Sequence, residues 1–443
     1  MGGRMEAIFT PRSVAVYGAS RDERKLGHVL LRNARSGGFA GPVVAVNPAG
    51  GEVLGQRTVP ALEGPVDLAL VSVPAGAARA AVADAARAGC RAAIVLASGF
   101  GETGEAGRAV EQRLAALARE AGMRLVGPNC MGVVSRQPGG WLNGSYFWRL
   151  PERAGGVSLV SQSGAFGGMF FSEARRRGLG VARFLSVGNC ADVTETDALE
   201  WLAGDAATSV IGLFVEAFKD GRRFVAAAER CGKPVVALKA GRGAAGARAA
   251  VSHTGSLAGR YGAAQAAFAR AGVVEAGSAD EFFDALQALA AWPGARRTGR
   301  SVAVLTISGG PAVLAADAAE RLGLRLPAPG AATVGAVREL APPFAAAGNP
   351  IDLTPQCPPA GFPPAVAAVF DDPAYQGVIV IDCGLDVPEL GRGVAEAARR
   401  TGKPVTAFVL DVPGVEAELT AAGIPLLPSP ERAAAAFAAL CGR

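Results

Sequence analysis

Three segments of the sequence begin alike, with a strand of apolar residues, a tight Gly/Ser turn and then a helix. They are SVAVYGASRDERKLGHVLLRNA from Ser13, GVSLVSQSGAFGGMFFSEARRRG from Gly156 and SVAVLTISGGPAVLAADAAERLG from Ser301. Such a unit admits few folds. A continuously apolar strand is buried on both faces, and the helix after it returns the chain to start the next parallel strand. Short β-branched strands alternate with Ala/Arg/Glu-rich helices along the chain, which makes the fold class α/β with parallel, doubly wound sheets.

The second and third segments stay alike downstream. AGDAATSVIGLFVEAF from Ala203 parallels FDDPAYQGVIVIDCG from Phe370, and KPVVALKAG from Lys233 parallels KPVTAFVLD from Lys403. Two copies of one unit therefore follow a distinct first domain. The stretch 136–155 (RQPGGWLNGSYFWRLPERAG) is rich in Pro, Gly and aromatic residues and reads as a first linker, and 292–300 reads as a second. The expected domains are 1–135, 153–291 and 299–443.

Composition removes several function classes. The 443 residues suit about three domains at ~150 residues each. With 50% hydrophobic and 19% charged residues the chain reads as a soluble globular protein. No apolar run approaches the ~18 residues of a membrane span. The N-terminus carries no secretory signal pattern, so a cytoplasmic protein without a membrane partner is expected. Seven scattered cysteines, none spaced C-x-x-C, read as reduced thiols, and the only histidines, His28 and His253, are too few and too far apart for a metal site. A net charge of +5 without basic blocks argues against nucleic acid.

The first turn, Gly18-Ala19-Ser20, leads into a helix, where backbone N–H groups and the helix dipole favour a phosphate. Asn47-Pro48, Val73-Pro74 and Ala97-Ser98-Gly99 end neighbouring strands, and ligands of open parallel sheets gather at such ends. A dinucleotide fingerprint would need G-x-G-x-x-G and an acidic residue closing the second strand. Here Gly18 is followed by Ser20 and Asp22, and Asn47 closes that strand. Both departures argue against NAD.

His253 lies in Val251-Ser252-His253-Thr254-Gly255-Ser256, after a Gly/Ala-rich approach. A neutral, accessible imidazole can accept a phosphoryl group, although a lone histidine ordinarily only decorates a turn. Two features shift that balance. Ser161-Gln162-Ser163-Gly164 and Ser308-Gly309-Gly310 each close a strand and open a helix, offering free N–H groups to an anion. Glu216 ends the strand VIGLFVE, where a carboxylate could orient an imidazole.

Together these residues resemble one family, the alpha subunits of ADP-forming acyl-CoA (acetyl-CoA-type) synthetases of the succinyl-CoA synthetase superfamily. GASRDERKLG at Gly18, ASGFGE at Ala97, GPNCMG at Gly127, SQSG at Ser161, GNCADV at Gly188 and SHTGSLAG at Ser252 occur in this order, and the resemblance spans essentially the whole chain. It implies a Rossmann-like CoA-binding domain followed by two flavodoxin-like doubly wound ligase domains. It further implies that a small carboxylic acid is activated as an acyl phosphate, that the CoA thiol displaces phosphate, and that a histidine relays the phosphoryl group to ADP. His253 matches the phosphorylated histidine and Glu216 its supporting carboxylate. Ser161, Gln162, Ser163 and Gly164 match a phosphate-binding turn, and Ser308, Gly309 and Gly310 a second one. Coenzyme A is expected against Gly18, Ala19, Ser20, Lys25, Asn47, Pro48, Val73, Pro74, Ala97, Ser98, Gly99, Asn129 and Cys130. The family's ATP-grasp module is not among the 443 residues, so a separate ATP-grasp beta subunit in a heterotetramer is expected to bring ATP/ADP with Mg2+.

Two local features depart from the family pattern. Cys190 stands where a lysine is frequent in relatives, and Tyr146-Phe147-Trp148 suggests a site for an acid bulkier than acetate. Competing readings absorb less of the sequence. A nicotinamide-dependent dehydrogenase fails on Asn47 and leaves SHTGS unused. A non-catalytic CoA-binding regulator would have no need of His253, Glu216 and both turns.

Overall fold

The protein is described by a computed structural model covering residues 2–248, 261–294 and 299–441. It forms two compact units, 1–275 and 276–443. Among the described residues no helix is long and apolar enough to cross a membrane.

The first unit opens with a parallel sheet in the order Val43–Val46, Val14–Tyr17, Leu68–Val71, Ala92–Val95, Arg124–Val126. The strands VAVY, LALV and AAIV are buried along their whole length, as parallel strands covered by helices on both faces must be. Helices Leu26–Ser36, Ala75–Arg87 and Glu105–Glu120 make the crossovers. Successive strands are laid down to opposite sides of Val14–Tyr17, which puts the switch point beside the carboxyl ends of Val14–Tyr17 and Leu68–Val71. A crevice forms there in such sheets.

The second sheet of this unit runs Val274–Ala276, Val235–Lys239, Val210–Val215, Ala154–Ser161, Val181–Ser186, Gly132–Gln137, Gly140–Ser145. Its last two strands form a hairpin that pairs antiparallel with Val181–Ser186. Part of the stretch expected to be a linker is thus sheet. Its glycines serve close approach of backbones rather than slack: a Cβ on Gly140 would lie 2.5 Å from the Gly37 carbonyl oxygen, and the Trp141 N–H donates to that same oxygen at 2.6 Å. Gly-rich composition marks both situations, which is why it misleads here.

The second unit has a sheet in the order Ala346–Ala347, Ile351–Asp352, Val302–Thr306, Gly377–Cys383, Val405–Leu410. Helix Ala279–Ala291, placed by the sequence reading in the middle domain, packs here on helix Pro430–Leu440. The Arg432 guanidinium donates to both oxygens of the buried Asp284 carboxylate, at 2.6 and 2.8 Å. The repeated strand–turn–helix segments are present in both units, as Ala154–Ser161 into Gly164–Arg176 and as Val302–Thr306 into Gly309–Arg321.

Candidate functional site

A cavity of about 750 Å3 opens at the carboxyl edge of the first sheet. Strand ends supply most of its wall: Gly18 and Ser20, Asn47, Val73 and Pro74, Ala97 and Ser98, Asn129 and Cys130. Lys25 lines it too, and so do Gln162, Ser163 and Gly164 from the second sheet. Ala19, Pro48 and Gly99 lie outside the lining, and Ala19 is fully buried.

The first turn is built by close approach. Gly18 has φ 86° and donates its N–H to the Val46 carbonyl at 3.0 Å. A Cβ on Gly27 would fall 1.8 Å from the Gly18 carbonyl oxygen, so the helix can start this close only with glycine there. The buried His28 donates Nδ1–H to the Ser20 carbonyl at 2.9 Å, a tautomer set by the carbonyl's being only an acceptor. Asn47 Nδ2 donates to the Ala19 carbonyl at 2.7 Å, which ties the second strand's end to the turn. Helices Leu26–Ser36 and Ala75–Arg87 both begin at the cavity, with no acidic residue in the first turn and no capping side chain on Lys25 or Pro74. Two uncapped helix N-termini and the ammonium of Lys25 suit a polyphosphate.

The opposite wall is held by a polar network. The Glu102 carboxylate accepts from the N–H groups of Gly99 and Phe100 at 2.5 and 3.2 Å and from Asn189 Nδ2 at 2.7 Å. Burial raises its pKa, but these hydrogen bonds outweigh that and hold it below the ordinary carboxylate value. Asn189 also donates to Glu111 at 2.8 Å and accepts from Asn129 Nδ2 at 3.2 Å. ASGFGE, GPNCMG and GNCADV are therefore one assembly. The Asn129 side chain is already engaged within it, and Asn189, which also lines the cavity, was within reach of sequence reasoning only as part of its motif. Cys130 and Cys190 are buried, Cys130 donating to the Val95 carbonyl at 3.4 Å. Burial pushes the Cys130 thiol up to about 12 and the Cys190 thiol well above its usual value, so neither supplies a thiolate.

In the second sheet, Ser161 and Gln162 act as scaffolding. The Ser161 hydroxyl donates to the Ser163 carbonyl at 2.6 Å and accepts the Ser163 N–H at 3.1 Å. Gln162 Nε2 donates to Glu195 at 2.9 Å and to the Ala217 carbonyl at 2.7 Å, while its Oε1 accepts the Glu216 and Ala217 N–H groups at 2.7 and 3.0 Å. Ser163 caps the helix by accepting from the Phe166 N–H at 3.3 Å. The Gly164 and Ala165 N–H groups of the first turn then remain for an anion. Glu216 is buried, and its carbonyl accepts from Lys239 Nζ at 2.7 Å. Burial lowers the Lys239 pKa, against the charge of Glu216, and burial raises that of Glu195, against the hydrogen bond from Gln162. Neither Glu195 nor Lys239 bears a sequence signal that would have singled it out.

In the second unit, the Ser308 hydroxyl donates to the Cys383 carbonyl and accepts the Cys383 N–H, both at 3.1 Å. Gly309 and Gly310 open their helix without a side-chain cap. A Cβ on Gly309 would come within 2.9 Å of Asp352 Oδ2, so a carboxylate stands beside this turn. His253 lies outside the described residues.

The aromatic triplet divides. The Phe147 ring packs edge-on against Phe171 and Phe184, at 5.0 and 5.4 Å between centroids, and Trp148 is 75% exposed under the Arg149 guanidinium. Only Tyr146 lines the cavity, so the cluster as a whole does not shape a site for a bulky acid.

Family models described as a CoA binding domain, a succinyl-CoA ligase like flavodoxin domain and a Ligase-CoA domain match residues 12–136, 154–289 and 302–420. The alpha subunit of ADP-forming acetate–CoA ligase II of Pyrococcus furiosus is 35% identical over 98% of this chain and 97% of its own length. The chain belongs to the family of ADP-forming acetate–CoA ligase alpha subunits. Relatives of this family also include a trans-feruloyl-CoA synthase of an unknown prokaryotic organism, 33% identical over 99% of this chain and 64% of that protein. Among solved structures, the dinucleotide-forming acetyl-coenzyme A synthetase 1 of Ca. Korarchaeum cryptofilum, in complex with phosphate and ADP, superposes with a TM-score of 0.91 at 34% identity, covering 99% of this chain and 96% of that one. The CoA-binding model of the family falls on the part of the chain whose strand ends form the cavity.

Proposed function

We propose that this chain is the CoA-binding, phosphohistidine-bearing subunit of an ADP-forming acid–CoA ligase, catalysing carboxylic acid + CoA + ATP = acyl-CoA + ADP + phosphate. The observation that supports it most is the meeting of two kinds of wall in one cavity: the strand ends and uncapped helices suited to the phosphates of CoA, and the anion-binding turn Gln162–Gly164.

Each residue then has a chemical task. Lys25 and the helix starts at Leu26 and Ala75 hold the phosphates of CoA, whose thiol end points to the Gln162–Gly164 turn. His253 accepts the γ-phosphoryl group of ATP on a ring nitrogen, releasing ADP, and the buried Glu216 orients the imidazole and offsets its charge. The acid's carboxylate oxygen attacks the phosphorus and the N–P bond breaks, giving the acyl phosphate. The CoA sulfur then bonds to the acyl carbon, the C–O bond to phosphate breaks, and phosphate leaves with the thiol proton. Throughout, the Gly164 and Ala165 N–H groups face the phosphoryl oxygens. Ser308, Gly309 and Gly310 form a second helix start suited to a phosphate. A separate ATP-grasp beta subunit, assembled with this chain as a heterotetramer, brings the nucleotide and its Mg2+.

Co-expression with a candidate ATP-grasp partner, followed by an acid screen, tests the reading. CoA- and ATP-dependent thioester formation with stoichiometric ADP is expected from the pair and not from this chain alone. AMP in place of ADP, or thioester formation independent of ATP, would contradict it.

A further inference from the structure

Met131 is half-buried and lines the cavity where its wall meets the Gln162–Gly164 turn. Its backbone is held on both sides. Before it, the Asn129 N–H donates to the Ala97 carbonyl at 2.9 Å, and the buried Cys130 thiol donates to the Val95 carbonyl at 3.4 Å. After it, Gly132 has φ 90°, and a Cβ there would lie 2.1 Å from the Gly144 carbonyl oxygen, so strand Gly132–Gln137 begins pressed against its hairpin partner. The side chain is fitted closely to the facing helix start. A Cβ on Gly164 would collide with Met131 Cγ and lie 3.4 Å from its Sδ. Met131 therefore rests on the Gly164 Cα, in the place that a side chain at 164 would take.

In a helix each Cα–Cβ bond tilts toward the N-terminus. Gly164 is the first residue of helix Gly164–Arg176, so a side chain lying in its Cβ direction borders the helix start. The Gly164 and Ala165 N–H groups left for an anion are at that same end. The polar neighbours there are already engaged. Gln162 has its amide on Glu195, Glu216 and Ala217, Ser163 caps the helix, and Asn189 is tied to Glu102 and Glu111. Met131 brings to this end a flexible, unbranched apolar side chain, which can shape itself to a small apolar group.

We propose that the Met131 side chain is the wall against which the acyl group packs, and that its bulk sets the size of acid this chain accepts. The inference rests on the acid–CoA ligase reading. With the phosphate of the acyl phosphate on the Gly164 and Ala165 N–H groups, the acyl carbon is one bridging oxygen away and its alkyl group comes within reach of Met131. Transfer to sulfur exchanges a C–O bond for a C–S bond at that same carbon, so an acyl-CoA presents the same alkyl group to the same wall. Met131 contributes contact and volume and takes no part in the proton balance.

The test varies the acyl group and the wall together. Calorimetric titration of the full chain with CoA, acetyl-CoA and butyryl-CoA is compared for the parent, Met131→Ala and Met131→Val. The affinity for butyryl-CoA relative to acetyl-CoA should rise about tenfold in Met131→Ala, the lower end of what a hydrophobic pocket makes of a methylene. Valine, shorter than methionine but bulkier than alanine, should give a smaller rise in the same direction. CoA, which has no acyl group, should bind all three chains within about twofold, which also shows that the variants are folded. An unchanged butyryl-to-acetyl ratio in both variants, or a weakening of all three ligands alike, would overturn the assignment. A parent chain that binds none of the three would overturn the ligase reading itself.

Discussion

Replacing His253 by alanine will abolish phosphoryl labelling and turnover of the assembled enzyme while leaving the affinity of this chain for CoA unchanged. Incubated with its partner and ATP, the parent chain should acquire an acid-labile, base-stable phosphate at residue 253, and the variant none. Loss of the group that forms the covalent intermediate removes the pathway itself, so a fall of at least about a thousandfold is expected. CoA affinity is spared because the surfaces proposed to hold CoA are the strand ends from Gly18 to Cys130 and the helix starts beside them. Turnover by His253→Ala at the parent rate would end the relay.

Stability of the second unit will fall as pH rises through neutrality, and Asp382→Asn will remove that fall. Asp382 lies on strand Gly377–Cys383 two residues beyond Val380, on the face that packs into the core, and is paired in register with Val409. It is fully buried, and neither carboxylate oxygen has a hydrogen-bonding partner among the described residues. Burial first, and then the charge of Asp386, raise its pKa to about 7. The folded state therefore holds this proton more tightly than the unfolded chain, whose aspartates titrate near ~3.9. The stabilisation is complete below the unfolded value and is lost as pH rises through about 7. A shift of this size corresponds to roughly 2–4 kcal/mol. Asparagine is neutral at every pH in this window. Relative to the parent, its variant should gain several degrees between pH ~5 and pH ~8, read by thermal unfolding. Parallel melting profiles for the two chains would show that Asp382 stays ionised.

The parts of the fold legible in the sequence were those set by local pattern. Continuous apolar strands such as VAVY and LALV, followed by Gly/Ser turns, gave parallel sheets with ligand turns at their carboxyl ends. The Gly18 turn needed only φ 86° and a helix behind it to be recognisable. What stayed hidden depends on contacts between distant segments. The network from Glu102 through Asn189 to Asn129 joins residues far apart in sequence, and no local rule pairs them. Gln162 read as a phosphate ligand because it stands in a Gly/Ser turn, yet all of its side-chain hydrogen-bonding capacity goes to Glu195, Glu216 and Ala217. Tyr146-Phe147-Trp148 read as one aromatic cluster, although alternation along an extended chain sends Phe147 into the core and Tyr146 to the cavity.

Calorimetric titration of the full chain with CoA and, separately, with NAD tests the central claim most directly. Asn47, where a dinucleotide site would place an acidic residue for the ribose, instead holds the Ala19 carbonyl with its amide nitrogen at 2.7 Å. Lys25 and two uncapped helix starts favour the more heavily phosphorylated ligand. The account predicts saturable CoA binding and no comparable heat from NAD; tight NAD binding with no CoA signal would contradict it.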